Sequence, residues 1–302
     1  MRLLGIVYRP DLKGTQKAGE GRFVFGVLDR SGNPRSFTVI FEYNLPILSV
    51  NGVNRSSTWW ATEWHKLGAL TLGSAAYKNQ LAFITNQFAG RNAFPSKPVG
   101  NALSQLRTNE IALAGPWELR EFQLTNSGLA QVTVKQNPDI SFNNAGTGRN
   151  HLQAWMVQNK SRLMSNTFVL PSSLPVMTGF STARPLLGAS APVNSVPTNW
   201  LSSAPVPAGA TAAEWNTMRL NLSNATCSGC HTINGLGFLH LNPRSSSTEA
   251  RKSSFTDADL VPRAQLMARD LGCTTLPSNK VLQLTGETEM ERLERERMNR
   301  VH

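Results

Sequence analysis

Asn224-Ala225-Thr226-Cys227-Ser228-Gly229-Cys230-His231-Thr232 places two thiols and an imidazole within five consecutive positions, in a chain of 302 residues that has only three cysteines. A C-x-x-C spacing followed at once by histidine is that of a c-type haem attachment site. The logic is geometric: thiols three positions apart each form a thioether to one haem vinyl group, and the adjacent imidazole reaches the iron. One motif allows one covalent haem. The same residues admit two other chemistries. Cys227 and Cys230 can close a disulfide, redox-active or structural, whose reactivity follows the thiol of lower pKa, with Cys273 left over. Alternatively, Cys227, Cys230, His231 and His240 offer sulfur and nitrogen donors to a tetrahedral zinc, although neighbouring Cys230 and His231 point apart in most backbones.

On either side of the motif the chain reads as helix. Thr211 caps a segment Ala212–Asn221, and Trp215, Met218 and Leu222 share one face immediately before the cysteines. After His231 comes an apolar, glycine-punctuated run ending in His240-Leu241-Asn242-Pro243-Arg244. A further helix begins near Asp257 or Asp259, runs through Leu266 and Met267 to Leu271, and stops at Gly272. The tail Glu287–Arg300 pairs Glu291 with Arg295 and Glu296 with Arg300 at i, i+4 spacing on a helix with a thin apolar face, so it is solvated. Residues 211–302 form a small, mainly α-helical region.

Upstream, Pro171, Pro175, Pro185, Pro192, Pro197, Pro205 and Pro207 fall among serines and alanines, which marks 171–210 as a linker or an extended wrap. Residues 1–170 form a mixed sheet-and-helix scaffold or binding domain, which makes the whole chain α+β. Leu3–Tyr8, Arg22–Leu28 and Phe37–Tyr43 are rich in β-branched and aromatic residues and read as strands. In the third, Phe37, Val39, Phe41 and Tyr43 make an apolar face, with Thr38, Ile40 and Glu42 on the other. Gly19-Glu20-Gly21 lacks the lysine and Ser/Thr of a phosphate loop and reads as a turn. Two helices follow: Trp59–Leu72 capped by Thr58, and a Ser74-capped helix with a Tyr77, Leu81, Ile84, Phe88 stripe. Beyond a polar, proline-bearing loop, Asn109–Ala114, Trp117–Leu124 and Leu129–Lys135 resume strand character. His151–Ser165 reads as a helix with His151 as a solvated neighbour of its cap, and neither His151 nor His65 has a companion ligand nearby.

Composition narrows the function. Hydrophobic residues at 40 %, with seven tryptophans and thirteen phenylalanines, support a packed core. The net charge is +11; residues 1–240 carry 20 Lys/Arg against 10 Asp/Glu and residues 241–302 carry 10 against 9. These basic residues are scattered singly, which suits a general association with anionic surfaces but not the patch of a specific nucleic-acid site. No apolar run reaches the length of a transmembrane helix. The opening Met1–Pro10 is too short an apolar span for a signal peptide and lacks a small-residue cleavage site; the strand-like start fits a mature or truncated product. No triad, paired carboxylates or metal-spaced histidines occur in 1–170, so an electron carrier or binding protein is expected rather than an enzyme.

The helix over Ala212–Asn221 followed by Cys227, Cys230, His231 and Thr232 resembles the start of a class I cytochrome c domain over about a third of the chain. The T-C-S-G-C-H element, with Leu239-His240 and Arg244 after it, also resembles a set of bacterial cell-envelope proteins. The cytochrome resemblance implies that Cys227 and Cys230 carry the thioethers of one haem c, that His231 is the proximal ligand, and that the protein transfers electrons in the periplasm or cell envelope to a partner still to be identified. It further implies a methionine as sixth ligand, for which Met267 is best placed, with His240 the alternative. Methionine ligation would raise the potential relative to bis-histidine. The family's glycine-proline segment is echoed only by Asn242-Pro243. Against this stand a non-haem envelope protein with a structural disulfide and a small zinc-binding module.

Overall fold

The computed structural model describes residues 1–48, 52–110, 118–132, 134, 137–187, 197, 199–232, 240–244, 250 and 252–273. The chain is α+β, with a six-stranded antiparallel sheet whose strands lie in sequence order. They are β1 (Arg2–Arg9), β2 (Glu20–Leu28), β3 (Pro34–Asn44), β4 (Leu103–Glu110), β5 (Glu118–Thr125) and β6 (Gly128–Val132). Two compact units are formed. The first comprises Met1–Arg107, Phe122–Ala130 and the described residues from His240 onward; the second comprises the described parts of Thr108–Glu121 and Gln131–Leu239. This division differs from the expected boundaries at 170 and 210, and it separates the helices of 211–302 between the two units.

In the first unit the period-2 patterning of β2 and β3 sets Phe23 opposite Phe41 and Phe25 opposite Val39. Phe23 meets Tyr43 edge-on at 5.5 Å, and Phe25 meets Phe41 likewise at 5.7 Å. This aromatic face packs on α1 (Ser57–Lys66) and α2 (Ala75–Ala89) through Trp60, Ile84 and Phe88. Gly21 is glycine because a Cβ there would lie 2.8 Å from the Phe88 ring. Ser74 caps α2 as expected, accepting from Tyr77 N. The cap of α1 is Ser56 rather than Thr58, and the helix ends at Lys66, six residues short of Leu72. Strand β4 occupies Leu103–Glu110, which the sequence presents as loop and then strand from Asn109; residues 111–117 lie outside the described residues. Helix α7 (Ser254–Asp270) starts one turn before Asp257, because Ser253 caps it by accepting from Thr256 N.

The second unit has its core around α3 (Thr147–Gln158), α4 (Lys160–Met164) and α5 (Ala212–Asn224). The helix expected over His151–Ser165 is two helices, which meet at Asn159, whose Nδ2 donates to Trp155 O at 2.9 Å. Thr211 and Glu214 form the capping box of α5. Trp215, Met218 and Leu222 enter the core as the helical spacing predicts. In its described parts, which exclude 188–196 and 198, the proline-rich stretch is not a free linker. Its Leu174, Leu186, Trp200 and Leu201 have no exposed surface, and each such leucine contributes about 1.5–3 kcal/mol of burial. A short hairpin of β7 (Ser173–Leu174) and β8 (Arg184–Pro185) shapes its path. Trp200 N donates to Ser223 Oγ at 2.9 Å and Leu201 N to Asn143 Oδ1 at 2.8 Å.

Candidate functional site

The motif begins a short helix, α6 (Cys227–Thr232), separated from α5 by Ala225 and Thr226 alone. Thr226 is the reason the turn forms: its hydroxyl donates to Ser223 O at 2.7 Å and accepts from Gly229 N at 3.0 Å, closing one helix and capping the next. At 3.6 residues per turn, positions 227, 230 and 231 fall within an arc of about 100°. The backbone thus sets the three positions on one arc, with Cys230 and His231 at its two ends, about 100° apart, as expected of adjacent residues. The side chains of Cys230 and His231 lie outside the described residues.

Ser228, next in the helix, is clamped. Its N–H donates to Asn137 Oδ1 at 3.2 Å, and its hydroxyl lies 3.0 Å from the same oxygen and 2.6 Å from Pro197 O. A backbone N–H can only donate, so this contact fixes the orientation of the Asn137 amide. Asn137 has no exposed surface, and its Nδ2 is buried without a partner. Cys227 is 3 % exposed and packs with Leu119 and Val134. Cys227 is thus buried beside two apolar side chains, and the helix bearing it is held at Ser228.

The other two candidate ligands belong to the first unit. His240 opens a strap, 240–244, whose Leu241 pairs with Lys252. The His240 carbonyl accepts from Ser253 N at 3.0 Å and from Thr256 Oγ1 at 3.1 Å. Glycines make room for the strap on the sheet: a Cβ on Gly5 would lie 3.1 Å from Leu241 Cδ1, and one on Gly26 would lie 2.8 Å from Pro243 Cβ. Met267 is a partly buried residue of α7. The fold thus groups Cys227, Cys230 and His231 in one unit and places His240 and Met267 in the other.

Beside His240 lies a buried ionic cluster that the sequence reading did not find. Strand register sets Arg9 opposite Glu20, and Arg22 opposite Glu42. Glu42 has no exposed surface and accepts from Gln105 Nε2. Arg22 Nη2 is 3.2 Å and Arg107 Nε 3.5 Å from its two oxygens. Arg22 Nε donates to Glu20 Oε1 at 2.6 Å. Asp11 takes a bidentate grip from Arg9, and Arg263 Nε is 3.7 Å away. Burial would raise the Glu42 carboxyl, but Arg107 and Arg22 outweigh it and hold the pKa below its usual value. His240 is pushed down to about 4, first by burial and then by Arg263, Arg22 and Arg9. Arg263 falls to about 9, chiefly through burial and then the charge of Arg9. Glu42 and Asp11 are held ionised and the His240 imidazole neutral, which is a static ion network rather than an acid–base pair. Opposite charges at facing positions of β2 and β3 were the available signal.

His151 is not a solvated cap neighbour. It is 2 % exposed, stacks on Phe180 at 4.3 Å and 3°, and donates from Nε2 to Pro175 O at 2.9 Å. Cys273 is an exposed, free thiol just beyond α7. Among the described residues no group of three or more His, Cys, Asp and Glu side chains forms a metal site, and no helix is long and apolar enough to cross a membrane. No protein-family model, curated protein or solved structure matches the chain.

Proposed function

We propose that the protein carries one c-type haem on α6 and transfers electrons in the cell envelope, where such attachments are made. The observation that supports this reading is the Thr226-capped helix over Cys227–Thr232, whose register gathers both cysteines and the histidine on one arc. The donor set fits: two sulfurs for the thioethers and one imidazole for the iron. The apolar setting of Cys227 against Leu119 and Val134 suits the edge of a porphyrin. When bound, the haem supplies a one-electron couple.

The protein's own part is to hold and to insulate. Cys227 and Cys230 would anchor the group through their sulfurs, and His231 would supply a nitrogen to its iron. Ser228 and Asn137 fix the helix that carries these residues. Leu119 and Val134 keep water from the attachment sulfur. His240 and Met267 have places of their own, in the ionic cluster and in α7, that need no iron. The charge of +11 favours an anionic partner or surface.

The test is co-expression with haem-maturation machinery in a periplasm, followed by the alkaline pyridine spectrum of the denatured protein and its intact mass. The expected result is a covalent haem band and the chain plus one haem, both absent from the Cys227→Ala, Cys230→Ala double variant. A bare polypeptide mass with a disulfide, intact thiols or bound zinc overturns the reading.

A further inference from the structure

The second unit contains a cleft of about 580 Å³, walled by α3, the 177–180 turn and the 207–208 segment. This volume is in the range of small-molecule sites. It is independent of α6 and of any haem. Its polar wall is neutral: Asn150, Gln153 and Gln158 from α3 and Thr178 from the turn, with no charged side chain among the lining residues. Val157, Phe180 and Pro207 supply apolar surface.

Two features show that this wall is prearranged. Gln153 is only 7 % exposed and donates from Nε2 to Pro205 O at 2.7 Å. A carbonyl only accepts, so the amide cannot flip, and its Oε1 has no protein partner, which leaves a fixed acceptor on the cleft wall. Phe180 is locked by its parallel stack on His151 at 4.3 Å, with His151 in turn held by Pro175 O. One ring face is covered, so the other face and the edge are what the cleft receives. Met177 and Phe180 exchange both backbone hydrogen bonds, at 3.1 and 2.8 Å, which stiffens the turn that carries the ring.

We propose that the cleft binds a neutral sugar. Carboxamides donate and accept at once, which matches vicinal hydroxyl groups. The fixed Gln153 oxygen requires a donor, which a hydroxyl provides. A preset aromatic face suits the C–H side of a pyranose ring. The absence of lining charge gives an ionic ligand nothing to pair with. A peptide bound by strand addition needs a sheet edge, and this wall is one helix face and two turns.

The experiment is calorimetric titration of the full-length protein with glucose, galactose, N-acetylglucosamine and short β-1,4-linked oligomers, with an uncharged alanine-glycine tetrapeptide alongside. At least one saccharide is expected to bind at a 1:1 ratio. The exposed double substitution Asn150→Ala, Gln158→Ala is expected to weaken it tenfold or more, with no change in melting temperature. Ala208→Trp, which narrows the cleft from its rim without touching the core, is expected to abolish binding. Failure of every saccharide to bind, unaltered affinity in both variants, or binding of the peptide alone overturns the proposal.

Discussion

Two regions, one in each unit, satisfy most of their buried polar groups by different means. On the β1–β3 face of the first unit charged groups dominate, with Arg9, Glu20 and Glu42 at 6, 4 and 0 % exposure. Between residues 137 and 228 of the second unit, Asp139 apart, mainly neutral side chains bond to backbone. Asn137 holds Ser228 N, Asn143 holds Leu201 N, Asn221 Nδ2 donates to Leu163 O and Gln153 to Pro205 O. The difference follows from what is being held. A ladder of paired strands brings whole rows of side chains into register, so opposite charges can face each other. A long irregular path offers backbone groups one at a time, and an amide suits each. The first arrangement should respond strongly to loss of one partner and to pH; the second should respond weakly to pH.

The largest expected effect is that of Glu42→Ala, which leaves Arg22 and Arg107 without their shared counter-charge. Removing one partner of a buried pair costs about 3–5 kcal/mol, measurable as a shift of the urea midpoint at pH 7. A loss below 1 kcal/mol would show that the cluster is solvated and erase the contrast between the units.

Acid should act next, through His240. Its imidazole is pushed down to about 4 in the folded protein from an ordinary 6.5. Between those values the unfolded chain binds a proton that the folded chain refuses. The stability present above pH 6.5 therefore declines as pH falls and is lost by pH 4, up to about 3 kcal/mol. Glu42 and Asp11, both held below their usual values, act in the same direction at lower pH. Urea midpoints of the protein between pH 7 and 4 measure the slope. His240→Gln should flatten its upper part, and an unchanged slope in that variant would remove His240 as the cause.

The smallest effect is expected in the second unit. Asn137→Ala removes the acceptor of the Ser228 N–H, while the hydroxyl keeps Pro197 O, and should cost about 1–3 kcal/mol, equally at pH 7 and pH 5. A cost that changes with pH would mean that this clamp, too, is electrostatic.

What the sequence made legible follows the same line. Strands β1 to β3, the Ser74 cap and the Thr211 capping box were readable because each is a local pattern. The apolar face of β3 was readable from alternation. Its other face was not, since Glu42 looks solvent-facing until Arg22 stands opposite and Gln105 and Arg107 of β4 are in place. Strand β4 itself, Leu-Ser-Gln-Leu-Arg-Thr-Asn-Glu, shows little apolar alternation, as part of what it packs against is charge. The prolines of 171–210 masked the better signal, the large apolar residues Leu174, Leu186, Trp200 and Leu201. At the candidate site the motif was visible, but the clamp was not, because Asn137 lies 91 positions from Ser228.

The enclosure of Cys227 has a consequence for timing. Cys227 is 3 % exposed and packed with Leu119 and Val134, so a reagent in solution meets little of it in the folded chain. On the proposed reading, the thioether at this position would have to form before Leu119 and Val134 converge on it.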